Sequence, residues 1–248
     1  RNVKLNSVDD CSKLTFAAKK TVNQSVDHFN GRIEDPVLYA KLPVREFPPT
    51  LPDEAGHGEI VAWWDFSIGI ETQTLVDRGS RGLGGRLVNI PYRGMRGINW
   101  TGRFMHWRDS PREYAAIHFH EDDLHDCGWD TDFSFKIPSS AKSGVYGLRL
   151  RQGSSEDILP FYILPANDKK KNKICYLAST FTYQAYANHA RGNCDQQMRS
   201  RMRDWGANPH NPDDYPVYGK STYNFHPDGT GTSISSRLRP VLTHRSGY

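Results

Sequence analysis

Short apolar runs separated by glycine and proline constrain this sequence more strongly than any other feature. Between residues 58 and 165, the runs with the length and composition of strands are Ile60–Phe66, Asp132–Ile137, Val145–Leu150 and Leu159–Ile163, together with Arg86–Ile90 after a glycine-rich turn. The second of them alternates apolar and polar side chains, as a half-buried strand does. Strands at short, irregular spacing, with no helical pattern between them, predict a β-sandwich for residues 58–165.

Residues 1–45 carry shorter runs of the same kind, such as Leu14–Ala17. Within them, the dipeptide Asn30-Gly31 predicts a tight hairpin turn, because glycine tolerates a positive φ. Residues 46–57 are rich in proline and show no periodicity, so they are predicted to form a linker.

The character of the sequence changes after residue 165. Ile174–Ala178 has the composition of a buried strand, and a helical pattern follows from about Cys194 to Trp205. Asn193 is the expected N-cap of that helix, and Gly206 is the expected residue at its end. A strand followed by a helix predicts that residues 170–248 begin an α/β catalytic domain. The polar ends of the sequence predict an internal piece of a longer polypeptide.

The composition argues against several classes of protein. The 11 Phe, 12 Tyr and 6 Trp argue against intrinsic disorder. No apolar run has the length of a membrane span, so no membrane partner is expected. The formal net charge of +4 is small and dispersed, which argues against a nucleic-acid partner.

The cysteines are Cys11, Cys127, Cys175 and Cys194, and they are widely spaced. The lack of a Cys-x-x-Cys pair excludes a zinc knuckle. A domain of this size does not need disulfides for stability, so free and mostly buried thiols in a cytoplasmic protein are expected. One or two disulfides are the alternative.

His118 and His120 form the most metal-like pattern in the sequence, because residues i and i+2 of a strand share a face. A cupin metal site also begins with His-x-His, but it needs a glutamate a few residues later, and that position is Leu124. We therefore expect an edge strand that runs into an acidic loop. A histidine-ligated metal enzyme is the weaker hypothesis.

Two stretches resemble the laminin-G/concanavalin type of jelly roll. Residues His28–Tyr39 resemble its closing strands, and residues Ala62–Asn89 resemble its opening strands. The resemblance implies that residues 1–45 are the end of one such jelly roll. It also implies that residues 58–165 combine its completion with immunoglobulin-like strands.

A longer series of motifs extends from about Gly58 to Tyr248. In chain order the motifs are WDFS, DRGSRGLGGRLVN, RGMRGINWTG, AIHFHEDDL, GWDTDFSF, SGVYGLRLR, FTYQAYANHA, RDWGANPHN, STYN and SSRLRPVL. Their order and span are similar to those of the large (beta) subunit of N,N-dimethylformamidase. The resemblance implies an amidohydrolase that cleaves small N-substituted formamides to an amine and formate. It implies as partners a small subunit and further large subunits.

The resemblance also implies a cofactor, one non-haem Fe(III) held by two tyrosine phenolates and a glutamate. Tyr183 and Tyr223 match the ligating tyrosines, and Tyr186 is the weaker alternative. The glutamate belongs to a His-Pro-Glu stretch that these 248 residues do not contain. The third ligand is therefore expected downstream of Tyr248, and this fragment alone is expected to be inactive. The candidates for residues around the ligands are Asn188, His189 and His226.

A hypothesis of a different class is a non-catalytic jelly-roll module that binds carbohydrate or protein. Tryptophans would form its sugar-binding platform, although packing in a core is the more ordinary role of such residues. The tryptophans in question are Trp63, Trp64, Trp100, Trp107 and Trp129.

Overall fold

The computed structural model of the chain describes residues 13–22, 24–40, 60–167, 173–207 and 209–245. It divides the chain into two compact units, residues 1–121 (unit 1) and residues 122–248 (unit 2). The predicted linker at residues 46–57 and the thiol of Cys11 lie outside the described residues. The domain boundaries inferred from the sequence stay predictions.

The strand predicted at Ile60–Phe66 is confirmed, and it lies inside the four-stranded sheet of unit 1. It is β5, Ile60–Asp65, and all but one of its side chains are buried. It pairs antiparallel with β4, Val37–Tyr39, and with β6, Thr74–Asp77. The sheet ends with β7, Gly85–Arg86, which pairs with β6, so the strand predicted at Arg86–Ile90 is wrong beyond Arg86. A strand covered on both faces carries a continuous apolar run, which explains why β5 is readable from sequence.

The second sheet of unit 1 has three antiparallel strands. Its order is β3–β9–β8, formed by Gly31–Glu34, Ala116–Phe119 and Tyr92–Met95. The central strand is therefore β9, and the edge position predicted for the His118 strand is wrong. The two flanking strands come from distant parts of the sequence, so the residues of β9 do not reveal them.

The N-terminal predictions are wrong in two places. Leu14–Ala17 forms no strand, and Phe16 instead packs edge-on against Trp64, with ring centroids 5.1 Å apart. No hairpin turn forms at Asn30-Gly31, because Gly31 opens β3 and pairs with Phe119. A short antiparallel pair, β1 at Lys19–Lys20 and β2 at Ser25–Val26, precedes it.

The core of unit 1 takes side chains from both sheets. Its buried members are Ala62, Trp64, Phe66, Leu75, Leu87 and Ile117. Full burial of a large apolar side chain stabilises the fold by about 1.5–3 kcal/mol. This cluster is therefore a major source of the stability of unit 1.

The loop after β5 is organised by Arg93, a residue of β8. Its two terminal guanidinium nitrogens lie 2.7–3.1 Å from the backbone carbonyl oxygens of Phe66, Ile68, Gly69, Thr72 and Thr74. Charge-assisted hydrogen bonds of this kind are stronger than neutral ones. One side chain therefore fixes the path of residues 66–74.

A buried carboxylate pair lies beside this loop. Asp65 and Asp35 share the guanidinium of Arg112, at distances of 2.8 Å and 3.2 Å. Asp35 also accepts a 2.7 Å hydrogen bond from the backbone N–H of Phe66. Burial raises the pKa of Asp35 to about 6, although the Phe66 N–H and Arg112 act in the opposite direction.

Unit 2 begins with irregular chain followed by a long hairpin. The strands predicted at Val145–Leu150 and Leu159–Ile163 are confirmed as β10, Gly144–Gln152, and β11, Ser155–Ile163, which pair along their full length. Asp132–Ile137 is not a strand, so that prediction is wrong. Alternation specifies a face but not a partner strand, and no described residue pairs with this segment.

Two short helices follow in unit 2. They are α1, Thr180–Ala185, and α2, Gln196–Asp204. Helix α2 confirms the helix predicted from about Cys194 to Trp205. The N-cap of α2 is Asp195 rather than Asn193, because the Asp195 carboxylate accepts from the Met198 N–H at 2.8 Å.

The end of α2 is as expected. Gly206 has φ 66° and donates to the Arg203 carbonyl, while Ala207 donates to the Met202 carbonyl. These two hydrogen bonds form the Schellman motif.

The strand predicted at Ile174–Ala178 is wrong. No described residue pairs with it, and Ile174 and Leu177 are 87% and 88% exposed. The chain as a whole is mainly β, as predicted, with eleven strands and two α-helices among the described residues. No described helix is both long and apolar enough to cross a bilayer.

The cysteine prediction is half correct. Cys127, Cys175 and Cys194 are free, but Cys127 and Cys175 are exposed rather than buried. The apolar run Ile174–Ala178 predicts that Cys175 is buried, but Ile174 and Leu177 of this run are exposed.

Candidate functional site

Helix α1 places the first two candidate tyrosines. Tyr183 lies in the helix and Tyr186 is its C-cap residue, with the Tyr186 N–H donating to the Thr182 carbonyl at 3.0 Å. Residues three apart in a helix lie on the same side, so both rings face the same direction. No helix was predicted between Ile174–Ala178 and Cys194, whereas a helical turn holds these tyrosines.

Both tyrosines line a cavity of about 280 Å³ within unit 2. The described residues that line it are Thr182, Tyr183, Tyr186, His189, Arg191, Thr243 and His244. The volume lies just below the usual range for drug-sized ligands. The cavity therefore suits a small molecule, and its aromatic rings and threonine methyl groups give it partly apolar walls.

A turn bonded to the end of α1 places Tyr223 beside Tyr186. The buried Ser221 hydroxyl donates to the Ala185 carbonyl at 2.6 Å, and the Thr222 N–H donates to the same oxygen at 3.1 Å. The last carbonyls of a helix lack hydrogen-bond donors within the helix, and here the turn donates to one of them, that of Ala185. As a result the Tyr223 ring stacks on Tyr186, with centroids 4.1 Å apart.

The phenols form hydrogen-bonded pairs. The hydrogen bond and charge of Tyr223 raise the pKa of Tyr186, and Arg191 acts weakly in the opposite direction. The hydroxyl of Tyr183 lies 3.2 Å from that of Tyr176, and this hydrogen bond raises the pKa of Tyr176. A phenol in such a pair gives up its proton less easily than a free one.

Two histidines border the tyrosines. His189 meets the edge of Tyr186 at a centroid distance of 5.6 Å and lies 5.8 Å from Tyr223. Its Nδ1 is buried and has no hydrogen-bond partner among the described residues. His244 lies 5.5 Å from the ring of Tyr183. A buried ring nitrogen without a partner is available to a bound ligand.

The Asn188 side chain joins several backbone segments near the cavity through hydrogen bonds. Its side-chain amide donates to the carbonyls of Tyr218, Gly219 and Pro240, and its amide oxygen accepts from the Leu242 N–H at 2.8 Å. It is 2% exposed and has φ 58°, a left-handed conformation that asparagine tolerates.

His226 is buried and bound to a carboxylate. Its Nδ1 lies 2.6 Å from one oxygen of Asp122, and the Lys220 ammonium lies 2.8 Å from the other. Burial acts to raise the pKa of Asp122, but the hydrogen bonds from His226 and Lys220 outweigh it and hold that pKa below its ordinary value. Whether Asn188, His189 and His226 serve the chemistry stays a prediction.

The other sequence candidates, except Trp129, lie in unit 1. His118 and His120 are buried, and their ring centroids are 4.2 Å apart. Trp63 and Trp64 are also buried, so they cannot form an exposed sugar platform.

Sequence reasoning missed Tyr176, Arg191 and His244. Tyr176 was hidden in the apolar run interpreted as a strand. Arg191 follows FTYQAYANHA directly, which is the signal that could have identified it. His244 has no local signal, because it reaches the cavity only through folding.

The family model described as "N,N-dimethylformamidase beta subunit-like, C-terminal" matches residues 92–248. Two relatives named N,N-dimethylformamidase beta subunit each match 90% of the chain. The protein from Paracoccus aminophilus is 38% identical over 240 residues, and the protein from Alcaligenes sp is 34% identical over 248 residues.

The chain covers 31% of each relative, so it spans about a third of the length of these proteins. The resemblance inferred from the motifs is confirmed by the family model and by both relatives. The chain belongs to the N,N-dimethylformamidase beta subunit family.

Proposed function

We propose that this chain contributes to the hydrolysis of small N-substituted formamides. Water adds its oxygen to the formyl carbon, the C–N bond breaks, and the amine leaves with a proton, so that the products are formate and an amine. We further propose that Tyr183 and Tyr223 hold a non-haem Fe(III) ion, with Tyr186 as the weaker alternative to Tyr183.

One observation carries this proposal. Tyr183 and Tyr223 are far apart in the sequence, yet Tyr183 lines a small cavity and Tyr223 stacks on Tyr186, another residue that lines it. In a chain of this family, such a cluster of phenols is the strongest candidate for the reaction centre.

The donor set suits the ion. Phenolates are hard, anionic oxygen ligands, and Fe(III) is a hard cation. Phenols ordinarily lose a proton only near pH 10, so Tyr183 and Tyr223 would have to give up the protons that they can now share with Tyr176 and Tyr186 in order to hold the ion. When bound, Fe(III) supplies Lewis acidity that activates water or the amide carbonyl.

The remaining cavity residues bind and orient the substrate. The rings of Tyr183 and Tyr186 form apolar walls for the N-alkyl groups of the amide. The unpartnered Nδ1 of His189 is placed to exchange a hydrogen bond with a polar atom of the substrate. The general acid that protonates the leaving amine is not assigned to any residue of this chain.

The partners follow from the names of the relatives. Both are called beta subunits, which implies at least one other kind of subunit. We propose a small subunit and further copies of the large subunit as partners. The free thiols of Cys127, Cys175 and Cys194 support a reducing compartment such as the cytoplasm.

The test uses the full-length polypeptide, co-expressed with its neighbouring small subunit. We expect about one iron per chain, a visible phenolate-to-Fe(III) absorption band, and turnover of N,N-dimethylformamide. Tyr183→Phe and Tyr223→Phe should each lose the band and the turnover. Tyr146→Phe is the matched control, because its hydroxyl bonds the Lys142 carbonyl in the hairpin, away from the lining residues.

A colourless, iron-free protein without formamide turnover would refute the proposal. An active, coloured Tyr223→Phe variant would remove that residue from the ligand set.

A further inference from the structure

Arg191 is a cation at the cavity that is paired with no described carboxylate. Some other arginines of unit 2 have such partners: Arg199 bonds Asp214 at 2.6 Å, and Arg245 lies 3.1 Å from Asp157. Arg191 forms no ion pair or hydrogen bond with the described residues, although it lines the cavity and its charge acts on Tyr186.

The surroundings of Arg191 favour an anion. None of the described lining residues is acidic. Thr182, Thr243 and the two histidine rings can all donate hydrogen bonds into the cavity, and phenol hydroxyls can do so as well. The described lining residues therefore offer several hydrogen-bond donors, one full positive charge and no carboxylate.

A guanidinium has a defined preference among small anions. Its planar fork matches the two oxygens of a carboxylate and binds them with two parallel hydrogen bonds. The volume of about 280 Å³ and the tyrosine walls restrict the guest to a small one. A monocarboxylate of one or two carbons satisfies both conditions.

We propose that Arg191 binds a small carboxylate in this cavity, and that its guest in the working enzyme is formate. The identity of the guest rests on the proposed function, since formate is the acid released by formamide hydrolysis. Arg191 would hold formate after the neutral amine has left, so formate should act as a product inhibitor that competes with the amide.

The test measures formate binding by saturation-transfer NMR on the full-length polypeptide with its co-purified partners. Arg191→Gln should weaken formate binding about tenfold or more, because it removes a charge-assisted bidentate contact. Arg191→Lys keeps the charge without the fork and should show an intermediate loss. Acetate and chloride serve as the larger carboxylate and the simple anion.

The matched control is Arg201→Gln. Arg201 lies on α2 with its guanidinium 4.7 Å above the Trp205 ring, and it does not line the cavity. The same charge is removed, so its formate affinity should stay within twofold of the parent. Equal weakening in both glutamine variants would show a general charge effect and overturn the proposal. So would unchanged affinity in Arg191→Gln, or equal affinity of the parent for chloride and formate.

The two proposals fail in different ways. Formate binding that depends on Arg191, in an enzyme without formamide turnover, keeps the carboxylate site and rejects the proposed function. Formamide turnover with formate affinity unchanged in Arg191→Gln keeps the function and rejects the carboxylate site.

Discussion

Unit 1 and the segment around the cavity, residues 173–245, are held together by different forces. Unit 1 has two sheets and a cluster of buried apolar side chains that includes Trp64, Phe66 and Ile117. In residues 173–245 the described buried apolar side chains are Ala187, Pro212 and Leu242. Side chains bonded to backbone groups take over there, with Asn188 and Ser221 as the principal ones.

The difference shows how a cavity can be built without a large core. An apolar cluster fills space, whereas a hydrogen-bonded side chain such as that of Asn188 joins three backbone stretches and leaves the space between them open. Regions with few buried apolar contacts depend on each hydrogen bond more strongly. Unit 1 should therefore respond to lost volume, and the cavity segment to lost polar contacts.

The largest effect is expected from Phe66→Ala. The Phe66 side chain is 2% exposed, so its truncation should lower the free energy of unfolding by about 3–5 kcal/mol. Phe181→Ala in α1 is the control, because Phe181 is 90% exposed and should change that free energy by about 0.5 kcal/mol or less. Urea unfolding measures both. Similar losses would remove the distinction between the two regions.

Asn188→Ala should cost about 3 kcal/mol. It leaves three carbonyls and one N–H without their partner, at about 1–3 kcal/mol for each buried group that water cannot reach. Asn188→Gly accepts φ 58° without strain but lacks the amide, so it should remain destabilised. The exposed Asn193→Ala is the control. Full rescue by glycine would mean that backbone strain, not hydrogen bonding, is the cause.

The pH dependence of unit 1 should carry a contribution from Asp35. Its folded pKa is about 6 and its ordinary pKa is 3.8, so between these values the folded state binds more protons than the unfolded state. Stability should therefore fall as the pH rises from about 4 to above 6, by about 1–3 kcal/mol for this group. Urea unfolding at pH 4.5 and 7.5 should show that contribution disappear in Asp35→Asn. An identical pH profile in the variant would contradict this assignment.

The smallest effect is expected from Tyr223→Phe, which should change the free energy of unfolding by about 0.5 kcal/mol or less, because Tyr223 is 53% exposed. Tyr114→Phe makes the same change in unit 1, where the buried hydroxyl donates to the Phe104 carbonyl at 2.6 Å, and should cost about 1–2 kcal/mol. Thermal unfolding of the two variants compares them. A large loss in Tyr223→Phe would mean that this phenol supports the fold.

The elements that the sequence predicts are those specified by their own residues. β5, β10 and β11 each follow from an apolar run of their own. The end of α2 follows from Gly206, whose positive φ permits the last two hydrogen bonds. Each of these signals is local.

The elements that the sequence misses depend on a partner. Ile174–Ala178 has a strand composition, yet no described residue pairs with it. Tyr183 and Tyr223 were selected by resemblance, but the turn on Ala185 that brings Tyr223 to Tyr186 has no sequence signal. His244 was missed for the same reason, since the cavity exists only after these stretches have folded together.

Arg93 has one more consequence. Carbonyl oxygens that converge on a cation form the kind of cage that many proteins build around a dissolved metal ion. The occupancy of such a metal site depends on the ion concentration of the medium. Here the cation is part of the polypeptide, supplied once per chain by translation and unable to diffuse away. The order of residues 66–74 therefore does not depend on an ion concentration, and it would be lost through mutation of Arg93 rather than through dilution of an ion.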